Sequence, residues 1–65
     1  MNDVFVLTGV SEGEKVRLTR IAKGLRQIDL ASMAKVNLVD VTSLEKNRYL
    51  SNSRKNRILA VLDMK

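Results

Sequence analysis

From residue 11 onward the apolar residues recur at helical spacing; before it they do not. Val4, Phe5, Val6 and Leu7 run together without a polar break and meet a turn signal at Thr8-Gly9, which predicts a short strand or extended arm. Ser11 then stands three residues before Glu14, the spacing of a capping box, so a first helix is expected to begin there. Leu18, Ile21, Ala22 and Leu25, with Val16 beside them, keep the i, i+3, i+4, i+7 rhythm of an inward face. Gly24 is expected to end that helix, because a positive φ costs glycine little. Gln27 to Ala34 reads as a second, short helix with Leu30, Ala31 and Ala34 inward, followed by a break at Lys35-Val36. Asn37 can cap a third helix, with Asp40 as the reciprocal capping residue and Val41 and Leu44 on its inner side. It should end near Lys46-Asn47, since Asn tolerates the left-handed conformation. Ser53 is expected to cap a fourth helix, with Ile58, Leu59, Val61 and Leu62 on its apolar side. The pattern as a whole predicts a mainly α fold: an N-terminal strand or arm over 1–10 and a four-helix domain over 11–65.

Length changes this picture by making the core thin. Sixty-five residues make one small domain, and a chain of about 60 residues buries only roughly 60% of the surface its unfolded form exposes. There is no Cys for a disulfide and neither Cys nor His for a structural zinc, which leaves helix packing and oligomerisation as sources of stability. A homodimer is therefore expected. Pairing Val4, Phe5, Val6 and Leu7 with the same residues of a second copy would remove one open strand edge from each. Leu59, Leu62 and Met64 are expected to complete that contact. No stretch approaches the roughly 20 apolar residues of a membrane span, and no targeting segment stands out, so a cytoplasmic protein without membrane association is expected.

Composition narrows the chemistry. Without His or Cys there is no imidazole or thiolate metal site, no Ser-His or Cys-His nucleophile and no His general base. The seven carboxylates are scattered rather than clustered. The chain does not read as an enzyme, and neither a cofactor nor a small-molecule ligand is expected. Twelve Lys and Arg against seven Asp and Glu give a net charge of +5. Residues 1–14 carry −3, 15–26 carry +5, 27–45 carry −2 and 46–65 carry +5. Two basic blocks around a nearly neutral centre suit a nucleic-acid binder whose phosphate contacts flank its reading element. Lys15, Lys23 and Lys55 read more simply as a solvated face.

Two short helices joined by a tight turn describe a helix-turn-helix. From Arg17 the chain runs R-x-x-R-x-x-x-G-L-x-Q-x-D-L-A-x-x-x-x-V-N-x-x-x-V-T-x-L-E-K-N. Over about residues 12–62 it resembles the lambda-repressor-like family of phage repressor, Cro and xenobiotic-response-element type regulators. The resemblance implies a four-helix lambda-repressor-like domain that lays its third helix in the major groove of double-stranded DNA. It also implies a transcriptional regulator that binds a two-half-site operator as a dimer. Carried over by position, Leu38, Val39, Thr42 and Ser43 would face the bases. Gln27, Lys46, Arg48 and Arg54 would hold phosphates, and Arg20 would pair with Glu45 to lock the first helix to the third; Lys35 and Asn37, in the turn between the second and third helices, are expected at phosphates beside them.

Three departures qualify the likeness. Lys35 stands where the family usually has a Gly in the turn, and a non-Gly residue at positive φ costs about 1 kcal/mol. Leu38 and Val39 replace polar base-readers; they can pack on thymine methyl groups but form no bidentate hydrogen bonds. The family's fifth helix, often its dimer contact, has no counterpart here, which again assigns dimerisation to the arm. A DNA-binding antitoxin or restriction-modification controller shares these expectations. A protein-interaction module that uses Leu38 and Val39 and has lost DNA binding is the alternative of another class. Asp40 reads more simply as a cap than as an acceptor for a cytosine amino group. Tyr49 reads equally as a phosphate donor or as packing across its loop.

Overall fold

Four helices make up the described part of the chain, residues 9–64 of a computed structural model: α1 (Glu12–Ala22), α2 (Gln27–Ala34), α3 (Leu38–Glu45) and α4 (Asn52–Val61). The expected arm, and the dimer contact assigned to Val4, Phe5, Val6 and Leu7, lie outside the described residues. Among the described residues no helix is long and apolar enough to cross a membrane.

All four helices stop in the same way. Gly24, Lys35, Asn47 and Asp63 take positive φ, between 58° and 74°. In each case that residue's N–H bonds the carbonyl three residues back, and the following N–H bonds the carbonyl five residues back. These paired bonds satisfy the carbonyls a helix end leaves over, and glycine supplies the left-handed residue at only one of the four ends. The turn therefore keeps its left-handed shape at Lys35 (φ 58°, ψ 46°) although the residue there is not glycine.

The core draws on every helix. Val16 comes from α1, Leu30, Ala31 and Ala34 from α2, Val41 and Leu44 from α3, and Ile58 and Leu59 from α4, with Leu62 just beyond it. Leu25, Val36 and Leu50 in the connections, Val61 at the end of α4 and Met64 beyond it pack against this cluster. Leu59 and Leu62 are thus core residues and unavailable for the dimer contact expected of them.

Two local expectations are corrected. The inward line of α1 runs through Gly13, Val16 and Arg20, whereas Ile21 is about half exposed and Ala22 is exposed. The helix is turned this way because Gly13 meets the end of α3 and Arg20 reaches Glu45, two contacts that outweigh the burial of one Ile. The second correction concerns α4, which starts two residues earlier than expected. Ser51, not Ser53, is its N-cap, accepting from the Arg54 amide at 3.5 Å while its carbonyl accepts from Lys55 N at 2.9 Å. Leu50, packed on the core just before it, fixes where the chain enters the helix.

The approach of α1 to α3 is close enough to require a glycine. A Cβ at position 13 would lie 2.5 Å from the Glu45 carbonyl oxygen and 2.6 Å from that of Leu44. The start of α1 thereby sits on the end of α3, where opposite ends of two helix dipoles meet. Gly13→Ala is expected to lower stability by about 1–3 kcal/mol through overpacking. Lys35→Gly should raise it by about 0.5–1 kcal/mol by removing left-handed strain. Urea unfolding midpoints measure both; an unchanged midpoint for Gly13→Ala would mean that α1 does not abut α3.

Candidate nucleic-acid interface

Helix α3 divides cleanly into two faces. Asp40, Val41, Leu44 and Glu45 are buried, while Leu38 and Val39 are exposed and Thr42 and Ser43 are partly exposed. At four-residue spacing, Leu38 lines up with Thr42 and Val39 with Ser43, so the four expected base-facing residues share one stripe, which Lys46 extends. The Thr42 hydroxyl donates to the Val39 carbonyl at 2.9 Å. Asp40, 5% exposed, takes the Asn37 backbone N–H on Oδ2 at 3.0 Å and faces Arg54 Nη1 from Oδ1 at 3.5 Å. Its carboxylate is occupied as a cap and an ion-pair partner, and is not on the outer stripe.

The inner end of α3 is held by a single buried carboxylate. Arg20 Nε donates to Glu45 Oε2 at 2.6 Å and Nη2 to Oε1 at 3.3 Å, with the two side chains 11% and 4% exposed. Arg20 Nη1 also donates to the Leu25 carbonyl at 2.8 Å, and Gln27 Nε2 donates to Glu45 Oε1 at 3.0 Å. The bidentate geometry fixes direction as well as distance. Gln27, expected at a phosphate, therefore has its side-chain amide turned inward to Glu45.

A second clasp closes the same end. Asn47, at φ 59°, accepts from Gly13 N on Oδ1 at 2.9 Å and donates from Nδ2 to Ser11 Oγ at 3.0 Å. Ser11 Oγ in turn caps Glu14 N at 3.2 Å. Sequence reasoning expected the left-handed Asn47 and the Ser11 cap separately but missed their bond and the need for Gly13. No local signal joins residues so far apart along the chain. The other end of α3 is tied to α4 by Arg54 on Asp40 and by Arg57, whose Nη1 donates to the Lys35 carbonyl at 3.4 Å. Arg57 also escaped the sequence reading; its place one helical turn after Arg54 is the signal that would have found it.

The remaining cations sort by partner. Arg17 pairs with Glu14, Arg26 with Asp29, Lys23 with Asp63 and Lys55 with Glu12. The Arg26 side chain, followed by its backbone N–H, holds the Asp29 carboxyl below its ordinary value, and the Arg17 side chain does the same for Glu14. Both carboxylates stay charged at acidities where free ones begin to protonate, so Arg17 and Arg26 remain neutralised. Lys35, Lys46 and Arg48 are exposed and have no acidic partner among the described residues, and Asn37 is exposed at the N-cap of α3. Tyr49 is 90% exposed and does not pack across its loop. It borders an open depression of about 360 Å³ whose walls include Glu12, Arg48 and Lys55.

Compared with known proteins, the chain matches no family model, no curated protein and no solved structure.

The Arg20–Glu45 contact makes a direct prediction. Arg20→Met leaves the Glu45 charge buried without its partner and should cost about 3–5 kcal/mol. Adding Glu45→Leu should recover much of that loss, because an apolar pair needs no charge partner. Thermal unfolding of the two variants decides it: a double variant less stable than Arg20→Met alone would show that the side chains do not act as a pair.

Proposed function

We propose that the chain is a sequence-specific double-stranded-DNA-binding transcriptional regulator of the lambda-repressor-like helix-turn-helix kind. It acts as a homodimer by occupying an operator of two half-sites. The observation that carries the reading is where the uncompensated charge lies. Each described carboxylate has a basic partner, and the five cations left over among the described residues are Lys15, Lys35, Lys46, Arg48 and Arg57. All but Lys15 stand at the two ends of α3 or touch the turn that leads into it. Between them the outer stripe of α3 carries no acidic side chain, because both acids of this helix face inward.

That arrangement suits B-form DNA. A major groove about 12 Å wide admits one helix, with a phosphate rim on either side of it. Lys35 and Arg57 would meet one rim and Lys46 and Arg48 the other, while Leu38, Val39, Thr42 and Ser43 face the base edges. Arg54, about half exposed beside Asp40, supports the same side. A dimer would place two such helices about one turn of DNA apart. The exposure of Leu38 and Val39 favours the second reading, a protein-interaction module, if duplex binding is absent.

Random-site selection on duplex DNA, followed by affinity measurement across salt concentrations, tests the proposal. Affinity should fall steeply with salt as counterions are released. Arg48→Gln should weaken all sequences about equally and lower the slope of log affinity against log salt by about 1. Specific binding without salt dependence would contradict the assignment of these cations.

A further inference from the structure

The outer stripe of α3 is unusual in what it lacks. Bidentate hydrogen bonding to a base edge calls for Arg or Lys on guanine, Asn or Gln on adenine, or a carboxylate on cytosine. Between Leu38 and Glu45 the only such side chains are Asp40 and Glu45, and both are buried in ion pairs. Asn37 stands at the N-cap, at the end of the stripe rather than on it. The Thr42 hydroxyl hydrogen is engaged by the Val39 carbonyl. Apart from the Ser43 hydroxyl and the Lys46 ammonium at its far end, what the stripe offers is apolar surface: Val39 is 62% exposed and Leu38 43% exposed.

An apolar centre framed by Lys35, Arg57, Lys46 and Arg48 calls for a partner that is anionic at its rims and apolar where the helix meets it. The major groove meets that description at one chemical group, the 5-methyl of thymine, which stands between two lines of phosphate. Resting on the DNA-binding reading above, we propose that α3 recognises its half-site chiefly through thymine methyl groups. Val39 is the principal contact and Leu38 the second. Specificity then follows the pyrimidine 5-methyl rather than the hydrogen-bonding edge. A 5-methylcytosine, which carries the same methyl at the same place, satisfies the same pocket of contacts.

Deoxyuridine removes that methyl and leaves every hydrogen-bonding group in place. The test uses the full chain and the duplex obtained by selection, with each thymine of the half-site replaced in turn by deoxyuridine. At one or two positions affinity should fall about fourfold, the equivalent of losing one buried carbon. Placing 5-methylcytosine there should weaken binding less than placing cytosine. In the Val39→Ala variant, whose exposed position leaves the fold intact, the deoxyuridine effect should shrink towards onefold at one of those positions. Tight sequence-specific binding that is indifferent to deoxyuridine everywhere would overturn this proposal and leave the DNA-binding reading standing. Selection that yields no duplex at all would overturn both.

Discussion

The Glu45 carboxylate is the point on which this structure turns. It is 4% exposed and accepts hydrogen bonds from Arg20 on α1 and from Gln27 at the start of α2, while Arg20 also holds the carbonyl of Leu25 in the loop between them. One charged group at the end of α3 thus sets the position of three other segments. In a chain this small the apolar core is limited, and burying an ion pair is not the cheapest way to add stability. What a fork-to-fork Arg–carboxylate contact adds is direction. That contact fixes the rotation of α3 about its axis, which sliding apolar contacts do less well.

The remaining ties of α3 act in the same sense. Asn47 and Gly13 bring the start of α1 onto its last carbonyls, Arg54 fastens Asp40 in its first turn to α4, and Arg57 holds the Lys35 carbonyl in the turn that leads into it. Arg54 holds Asp40, and Arg20 with Gln27 holds Glu45, so both acids of α3 point away from its outer stripe. The charge distribution follows from the packing. Once the internal pairs are made, four of the five cations left over among the described residues stand around the ends of this helix, and the stripe between carries no acid and is partly apolar. Fold and electrostatics therefore single out the same surface.

Much of the helical frame was legible in the sequence, because its determinants are local. The bounds of α2 follow from Gln27 to Ala34 and the break at Lys35, and those of α3 from Asn37, Asp40 and the left-handed Asn47. The start of α4 was less legible: Ser53 carries a capping side chain, but Ser51 caps the helix because Leu50 beside it packs on the core. The rotation of α1 was not legible, because Ile21 and Ala22 keep a perfect apolar rhythm. What decides their exposure is the distant demand of Glu45 for Arg20 and of the α3 carbonyls for Gly13. At the candidate interface, exposure of Leu38 and Val39 was expected from the resemblance. The inward turn of Gln27 and the part of Arg57 depend on contacts across the fold, which spacing along one chain does not encode.

The central claim is that the outer stripe of α3, with the cations at its two ends, is the surface that meets DNA. Backbone amide shifts followed by NMR during titration with a selected duplex test it most directly. The account predicts that the largest changes fall at Lys35, Leu38, Val39, Thr42, Ser43, Lys46, Arg48 and Arg57. The amides of Glu14 to Thr19 on α1 should move little. Changes centred on α1, or spread evenly over the four helices, would contradict it.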